Sequence, residues 1–292
     1  MIDKLEMLIA LARERHFGRA AEACHVTQPT LSSAIKSLEE MLGVQLVLRG
    51  ARFNGLTPEG ERVLARAKTI VAEARALKAD VAAARAGLAG TLRIGVIPTA
   101  LASLHDYTRP FLAAHPGVRL RIQSLNSNEI LERITDFDLD AGLSYAEPDL
   151  SSDKMAGLSV LRLYDETYAL LTQGRPDLPA TMPWSAVSSF ELGLLTPDMQ
   201  NRRIIDRHLA RAGVRVTPRV ESNSIITLVS HVDAPGSATI LPRHAATFFA
   251  ERTGLACIPL TQIESGATNV AFILPPVGRR TLLLDAFVQS LV

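Results

Sequence analysis

The chain has 292 residues, of which 47% are hydrophobic and 21% are charged; this is ordinary globular usage and excludes a disordered chain. A chain of this length predicts two folded domains. The net charge is only +1, but residues 1–89 hold 13 Lys and Arg against 10 Asp and Glu, and the remainder has an acidic excess. The asymmetry fits a nucleic-acid-binding N-terminal part, although so small a basic excess is weak support by itself.

Cysteine usage and hydropathy exclude several protein classes. Cys24 and Cys257 lie far apart and form no C-x-x-C pair, so neither a disulfide scaffold nor a zinc ribbon is expected. Cys24 stands among alanines and is expected to be a small core residue. The chain has no N-terminal apolar run of signal-peptide length and no run of about eighteen apolar residues. We therefore expect a cytoplasmic protein with no membrane partner.

Helical periodicity organises the first forty residues. Apolar residues spaced from Ile2 to Ala12 predict one amphipathic helix, and a short Ala-rich helix is predicted over residues 19–24. A third helix has a clear start, because Thr27 can act as its N-cap and Pro29 fits its first turn. Its buried face is expected to consist of Leu31, Ala34, Ile35 and Leu38.

The opposite face of the third helix is short and rich in hydroxyl groups. It presents Ser32, Ser33, Lys36 and Glu40, with Gln28 and Thr30 at its N-terminal end. Such side chains allow close entry into a groove, where hydroxyls can donate to phosphates or base edges and Gln can pair with adenine. From this face alone, an ordinary solvated surface is an equally good interpretation.

The residues that follow predict a wing. Gly43 ends the third helix, residues 44–49 have strand composition, and Asn54-Gly55 is a strong turn signal. Pro58 then opens another helix. This order of elements predicts a winged helix-turn-helix, with Arg49 and Arg52 on or beside the wing, where cations reach the DNA backbone or minor groove.

The N-terminal sequence resembles the signature of LysR-type transcriptional regulators. The resemblance lies in FGRAAEA at residues 17–23, VTQPTLSSAIKSLE at 26–39, LGVQL at 42–46 and LTPEG at 56–60. Val47 departs from the family, which usually has Phe there, and this is expected to change wing packing rather than function. The resemblance implies that DNA is contacted by Thr27, Gln28, Pro29, Thr30, Ser32, Ser33 and Lys36, with Arg49 and Arg52 as wing candidates.

A regular helix is predicted to join the two domains. Its heptad seam is Val63, Ala67, Ile70, Ala74, Leu77, Val81 and Ala84. We expect this seam to pair with a second chain, and a homodimer would recognise an interrupted inverted repeat of double-stranded DNA. A long helix within one domain is the alternative, because alanines make a weak zipper. The family resemblance implies a further pairing into a homotetramer, and RNA polymerase is a candidate partner.

The C-terminal two hundred residues alternate between predicted strands and helices. Strands are predicted at residues 91–96, 118–125, 139–144, 168–171, 192–195, 215–221 and 239–241, and helices at 101–114, 130–135, 201–212 and 224–230. This alternation predicts a parallel α/β sheet, in which ligands bind beyond the carboxyl ends of strands. Loops 98–103, 125–128 and 196–201 fit that location. Helix capping is the better interpretation of any single residue in them, such as Ser127.

This region resembles, more loosely, the effector-binding domain of the same family. The resemblance implies an α/β fold of periplasmic-binding-protein type, with lobe I at about 90–162 and 266–292 and lobe II at about 163–265. The winged helix-turn-helix would then span residues 1–60 and the linker helix 61–89. A small organic metabolite, preferably an anion, is expected between the lobes. The cleft candidates are Thr99, Ser103, Asn126, Ser127, Thr196 and Gln200. The polar stretch at residues 230–238 departs from the family pattern.

Enzyme function is not expected. The chain has no dinucleotide fingerprint, Walker loop, H-E-x-x-H or G-x-S-x-G motif, so no catalytic residue, metal or cofactor is predicted. A redox sensor needs a reactive cysteine with a partner in the sensory domain, and only Cys257 lies there. A solute-binding module of transporter type is the alternative. The prediction is therefore a sequence-specific DNA-binding transcriptional regulator whose activity is modulated by a small molecule.

Overall fold

The computed structural model describes residues 1–48, 53–146, 157–174, 178–261 and 268–291. It divides the chain into two compact units, Met1–Gly87 and Leu88–Val292. Within the described ranges, no helix is both long enough and apolar enough to cross a membrane.

The first unit is helical. Its helices are α1 (Ile2–Glu14), α2 (Phe17–Ala23), α3 (Gln28–Leu42) and α4 (Pro58–Ala86). One apolar core joins them, with Leu8 and Leu11 of α1 and Leu31 and Leu38 of α3 completely buried.

The helix ends follow from local chemistry. Thr27 Oγ1 accepts a hydrogen bond from Thr30 N at 3.4 Å, and Gly43 closes α3 in the left-handed conformation at φ 68°, both as predicted. The second helix begins two residues before its predicted start. His16 Nδ1 accepts hydrogen bonds from the amides of Gly18 and Arg19, at 3.1 Å and 3.3 Å. The imidazole therefore acts as the N-cap, a role outside the usual capping residues.

The wing contains less regular strand than predicted. Within the described residues, residues 44–49 contribute a single antiparallel bridge, Val47 to Leu56, so the prediction of a strand from residue 44 is wrong. Glu39 Oε1 accepts hydrogen bonds from the amides of Leu46 and Val47 at 2.7 Å and 3.1 Å, so a side chain replaces a ladder partner. Arg49 and Arg52 lie outside the described residues, whereas the predicted turn residues Asn54 and Gly55 lie within them.

The long helix α4 uses its apolar residues in two ways. Ala67 and Val71 are buried in the core of the first unit, and Arg75 Nη2 lies 2.9 Å from Glu6 Oε1 of α1. Ala67 of the predicted heptad seam is therefore buried within its own unit and is not exposed for pairing with a second chain. Farther along, Leu77 and Val81 are 66% and 50% exposed.

Two five-stranded sheets form the second unit. The first has the order β2-β1-β3-β10-β4 and the second β7-β6-β8-β5-β9. The strands are β1 (Ala89–Val96), β2 (Gly117–Ser124), β3 (Ala141–Tyr145), β4 (Ser159–Glu166), β5 (Tyr168–Thr172), β6 (Glu191–Leu195), β7 (Val220–Ser222), β8 (Ser237–Pro242), β9 (Ala256–Pro259) and β10 (Thr268–Leu274). The helices are α5 (Leu104–Ala114), α6 (Ser127–Thr135), α7 (Gln200–Arg211), α8 (Ile225–Ser230), α9 (Arg243–Thr253) and α10 (Leu282–Gln289), with 3-10 turns at Pro98–Ala100, Trp184–Ser189 and Val277–Arg279.

Both sheets are mixed, so the prediction of a parallel sheet is correct only in part. In the first sheet β1 is parallel to β2 and β3, and in the second β6 is parallel to β7 and β8. The strands β10 and β5 run antiparallel to their neighbours. The sheets are mixed because the chain crosses from the first sheet to the second between β4 and β5. The predicted boundary between lobe II and the second part of lobe I, at residues 265 and 266, lies outside the described ranges.

Some element bounds differ from the predictions. The helix predicted over residues 101–114 begins at Leu104, after the 3-10 turn Pro98–Ala100, because Ser103 Oγ donates to Ala100 O and the chain turns there. The strand predicted over residues 215–221 is reduced to Val220–Ser222. The helices α9 and α10 and the strands β9 and β10 were not predicted.

Candidate DNA-binding surface and effector cavity

One face of α3 carries all the described DNA-contact candidates. Leu31, Ile35 and Leu38 are buried, which fixes the rotation of the helix. The residues left exposed by that rotation, or by the turn before it, are Thr27, Gln28, Pro29, Thr30, Ser32, Ser33 and Lys36. Lys4 Nζ donates to Ser37 Oγ at 2.6 Å and so joins α3 to α1.

The polar atoms of this face differ in their availability. Thr27 Oγ1 and Thr30 Oγ1 lie 2.9 Å apart and bond to each other, so both help to cap the helix. Lys36 Nζ lies 3.9 Å from Glu40 Oε1, but the two side chains are 78% and 66% exposed. Exposed pairs of this kind contribute little, so Lys36 can exchange Glu40 for a phosphate.

A small cavity in the second unit gathers four of the six predicted effector residues. The cavity is lined by Ile97, Pro98, Thr99, Asn126, Ser127, Tyr145, Leu195, Met199, Gln200 and Asn201. Its volume is about 10 Å³, which is about the room one water molecule needs. Ser103 and Thr196 are not among the lining residues. Ser103 instead bonds to Ala100 O and lies 3.2 Å from the hydroxyl of Tyr164.

Two helices begin at the cavity. Asn126 and Glu129 form a capping box at the start of α6, with Glu129 N donating to Asn126 Oδ1 at 2.9 Å. At the start of α7, Met199 provides no side-chain cap. The first amides of a helix have no partner within it, so both ends favour a hydrogen-bond acceptor or an anion.

Buried polar atoms around these helix ends lack hydrogen-bond partners. They are Ser127 Oγ, Thr196 Oγ1 and Asn201 Oδ1. Ser127 and Asn201 are only 4% and 3% exposed. Because buried polar groups are nearly always satisfied, this set indicates a place where a polar molecule completes the structure.

Sequence reasoning missed Tyr145 and Asn201, which lie at the centre of the site. Asn201 Nδ2 donates to the Tyr145 hydroxyl at 2.9 Å, and Thr99 Oγ1 lies 3.3 Å from the same oxygen. Tyr145 is the last residue of β3, the type of position where ligands bind in α/β sheets, and this was the available signal. Asn201 closes a loop that was singled out, but it was not named as a candidate.

A buried carboxyl lies behind Tyr145. The Tyr168 hydroxyl donates to Glu166 Oε2 at 2.6 Å, and Glu166 Oε1 is buried without a partner. Burial raises the pKa of Glu166 to about 7, and hydrogen bonds from Tyr168 and Tyr145 oppose part of this rise.

Arg202 fixes the side of the cavity formed by β6 and α7. Its Nη1 donates to Leu195 O at 2.7 Å and to Glu221 Oε1 at 2.6 Å, while Nε donates to Asp206 Oδ1 at 2.9 Å. The Arg202 side chain is 9% exposed, whereas the Asp206 and Glu221 side chains are 48% and 43% exposed, so the guanidinium is buried beneath partly solvated carboxylates. Arg202 thus holds the cavity residues Leu195 and Asn201 in position without lining the cavity.

The cysteine of the second unit lies outside the cavity lining, and the described residues contain no metal-binding cluster. Cys257 is on β9, half-buried, and burial raises the pKa of its thiol. It is not among the cavity residues. Across the ranges that the structure describes, no group of three His, Cys, Asp or Glu side chains could hold a metal ion.

Comparison with known families identifies the chain's relatives. Residues 2–61 match the model of the bacterial regulatory helix-turn-helix protein of the lysR family, and residues 85–292 match the LysR substrate binding domain. The chain belongs to the LysR family of transcriptional regulators. It is a LysR-type DNA-binding transcriptional regulator with an effector-binding domain, and not an enzyme. The N-terminal match also removes the alternative of a transporter-type solute-binding module.

Individual relatives cover most of the LysR-type chain. A probable hydrogen peroxide-inducible genes activator of Streptomyces viridosporus is 34% identical over 87% of this chain and 81% of its own. A full-length OxyR variant from Pseudomonas aeruginosa is 25% identical and has a TM-score of 0.75 over 100% of this chain and 94% of its own. Full-length CbnR in complex with its target DNA has a TM-score of 0.66 at 20% identity, over 100% and 98%. The last likeness concerns the fold alone.

Proposed function

We propose that this regulator binds an interrupted inverted repeat through α3 and the wing, and that a small effector in the described cavity changes its affinity for DNA. The observation that carries the first part is the face of α3. Seven short or polar residues are exposed there, while the apolar face is buried. The observation that carries the second part is the cavity, with its partnerless buried polar atoms.

The roles proposed for Gln28 and Lys36 differ and can be separated. Gln28 is exposed at the first position of α3 and can read a base edge, whereas Lys36 is exposed eight residues farther along the helix and suits a phosphate. Gln28→Ala should reduce discrimination between operator and mutated operator by about 1–3 kcal/mol. Lys36→Ala should weaken binding to all duplexes and reduce the salt slope by about one.

These two variants are best measured side by side by fluorescence anisotropy, on a footprinted operator and on a duplex with altered half-sites. Ser37→Ala is a matched control, because Ser37 faces α1 and accepts from Lys4. If Gln28→Ala binds operator and altered duplex in the parent's ratio, the base-reading role is wrong.

We propose a homodimer through α4, and a homotetramer formed from two dimers. The exposed apolar side chains Ile70, Leu77 and Val81 lie at steps of seven and four along α4, on one stripe. A second copy of the same stripe would cover them. Such a dimer would hold two α3 helices at a fixed spacing, which predicts inverted half-sites. RNA polymerase is proposed as a further partner, with no contact surface assigned.

The proposed effector is a small polar organic molecule, with an anion preferred. The start of α7 has no side-chain cap, and Ser127 in the first turn of α6 offers a buried hydroxyl. Since the cavity has room for about one water, an organic effector requires its walls to move apart. Such an effector would distinguish an open from a closed arrangement, and this difference in affinity is the condition for allostery.

The effector proposal is tested by titrating candidate organic anions against DNA affinity and DNA bend angle. Ser127→Ala removes a cavity hydroxyl and should weaken the effector's influence without changing binding to DNA in its absence. Ser290→Ala is the matched control, because Ser290 directly follows α10 and its hydroxyl donates to Phe287 O. No effect of any candidate on affinity or bend would count against this part of the proposal.

The relative named as a probable hydrogen peroxide-inducible genes activator raises peroxide as a competing signal, which in a protein can act by oxidising a cysteine thiol. We propose that the effector acts here without covalent chemistry. Cys257 is the only cysteine in residues 88–292, it is half-buried away from the cavity, and burial raises the pKa of its thiol. Peroxide reacts with thiolates, which burial disfavours. A peroxide-induced change in DNA binding that Cys257→Ser abolishes would contradict this proposal.

A further inference from the structure

A chain of hydrogen-bonding groups links the effector cavity to a carboxyl at the crossing between the two sheets. Thr99 and Asn201 line the cavity and both contact the Tyr145 hydroxyl. Glu166 lies beside Tyr145, at the end of β4, and accepts from Tyr168 at the start of β5. One phenol therefore separates the carboxyl from the cavity.

The surroundings of Glu166 do not neutralise a negative charge. Tyr145 faces it from β3, Tyr168 from β5 and Tyr164 from its own strand, and Thr268 is its neighbour on β10. Among the residues with described positions, burial and the hydrogen bonds of Tyr168 and Tyr145 account for its shifted pKa, and no cation does. Only hydrogen bonds oppose the cost of its burial.

Two histidine rings lie against the tyrosines around Glu166, because His244 of α9 is 4.7 Å from the Tyr164 ring and His208 of α7 contacts Tyr168. The His208 ring of α7 lies 5.4 Å from the Tyr168 ring and stacks on Trp184 at 4.7 Å. Burial lowers the pKa of His208, and Arg207 and Arg211 lower it further. The charged form of His208 is therefore disfavoured as a counter-charge for Glu166.

We propose that the effector cavity is proton-linked through Glu166: an anionic effector binds together with one proton, which Glu166 takes from solvent. This inference rests on the proposed role of the cavity. The ionised carboxyl and the anion would otherwise be two negative charges in a dry region where no cation of the described residues offsets the charge of the carboxyl. The reaction is a simple association, in which the empty ionised site, one proton and one anion give the occupied site with a neutral carboxylic acid.

Protonation also changes what Tyr145 can offer to the cavity. While Glu166 is ionised, it is the strongest acceptor near the Tyr145 hydroxyl and attracts its hydrogen. Once Glu166 is neutral, that hydrogen is released to donate toward the cavity. Neutralisation therefore removes a repulsion and supplies a donor at the same time, and both changes favour an anion with acceptor oxygens. The pKa of about 7 means that the proton is available near neutral pH.

The titration of Glu166 can be observed directly, without effector or DNA. A buried protonated carboxyl gives an infrared carbonyl band at higher frequency than the amide bands. For the full chain, this band should appear as the pH is lowered through about 7 and should be missing from Glu166→Gln. A band that is absent throughout, or that persists in Glu166→Gln, would overturn the assignment.

The link to the cavity is tested by placing a fixed anion in it. Gln200→Glu is nearly isosteric, Gln200 lines the cavity, and the native amide is the matched neutral control. A carboxylate there should raise the midpoint of the Glu166 band by about one pH unit or more. The double variant with Glu166→Gln identifies any band from the introduced carboxyl itself.

A second pair of variants keeps the linkage testable if Gln200→Glu fails to fold. Ser127→Asp also introduces an anion at the cavity, and an acidic residue is favourable in the first turn of α6, while Ser127→Asn is its neutral control. Unchanged midpoints in both charged variants would overturn the proposed linkage. Because neither DNA nor effector is present, this result is independent of whether the cavity is the effector site.

Discussion

At Gly60, helix propensity and packing predict opposite effects of substitution by alanine on stability. Gly60 is in the first turn of α4, and a Cβ at this position would lie 2.1 Å from Leu46 O and 3.0 Å from Leu46 C. Leu46 O already accepts a hydrogen bond from Thr57 N at 2.9 Å, so this backbone cannot move away freely. Replacing Gly by Ala in a helix gains about 1 kcal/mol, but forcing an atom into packed backbone costs about 1–3 kcal/mol or more. A contact this short lies at the upper end, so Gly60→Ala should destabilise the first unit by about 1–2 kcal/mol.

Scanning calorimetry of the full chain would measure this effect, since a loss of 1 kcal/mol lowers the melting temperature of a domain of this size by about 4–8 °C. Gly278→Ala is the control, because no atom lies within 4 Å of its added Cβ and its backbone is not in the left-handed region. Displacement of the wing should also weaken DNA binding. If Gly60→Ala melts at or above the parent temperature, the packing argument is refuted.

Three further variants test the account. Asn126→Ala should cost about 1 kcal/mol of stability by removing the cap of α6, and Asn126→Asp should retain the cap, which urea denaturation can compare. Glu166 has a raised pKa in the fold, so its contribution is fully present below about 4.5 and is lost as the pH rises through about 7. Glu166→Gln should therefore gain stability relative to the parent over that window, up to about 3 kcal/mol above pH 7; a difference that does not change with pH would contradict this. Leu77→Glu should break the α4 pairing and so convert tetramers to dimers in light scattering, whereas the adjacent exposed Lys78→Glu should not.

Local chemistry made the recognition helix predictable. Its start at Thr27, its end at Gly43 and its buried face each depend on residues close in sequence. The cap of α2 was not predictable in the same way, because His16 is not a usual N-cap residue. The wing also depends on a side chain, since Glu39 binds two amides seven and eight residues later.

The cavity and its surroundings combine residues that local sequence patterns predict with residues that they do not. Thr99, Asn126 and Ser127 follow strands and were therefore predictable as neighbours at one edge of a sheet. Tyr145 and Glu166 look like ordinary strand residues. Their meeting depends on the antiparallel strand β10 lying between β3 and β4, and on the crossing to the second sheet. Such long-range pairings leave no local pattern.

The most direct test of the account is the binding of the full chain to labelled duplex from immediately upstream of its own gene. An unrelated duplex of equal length would serve as competitor across a salt series. We expect preferential binding to the upstream duplex, a steep loss of affinity with salt and a footprint with inverted half-sites. No binding to either duplex at low salt would contradict the assignment of α3 as a DNA-reading helix.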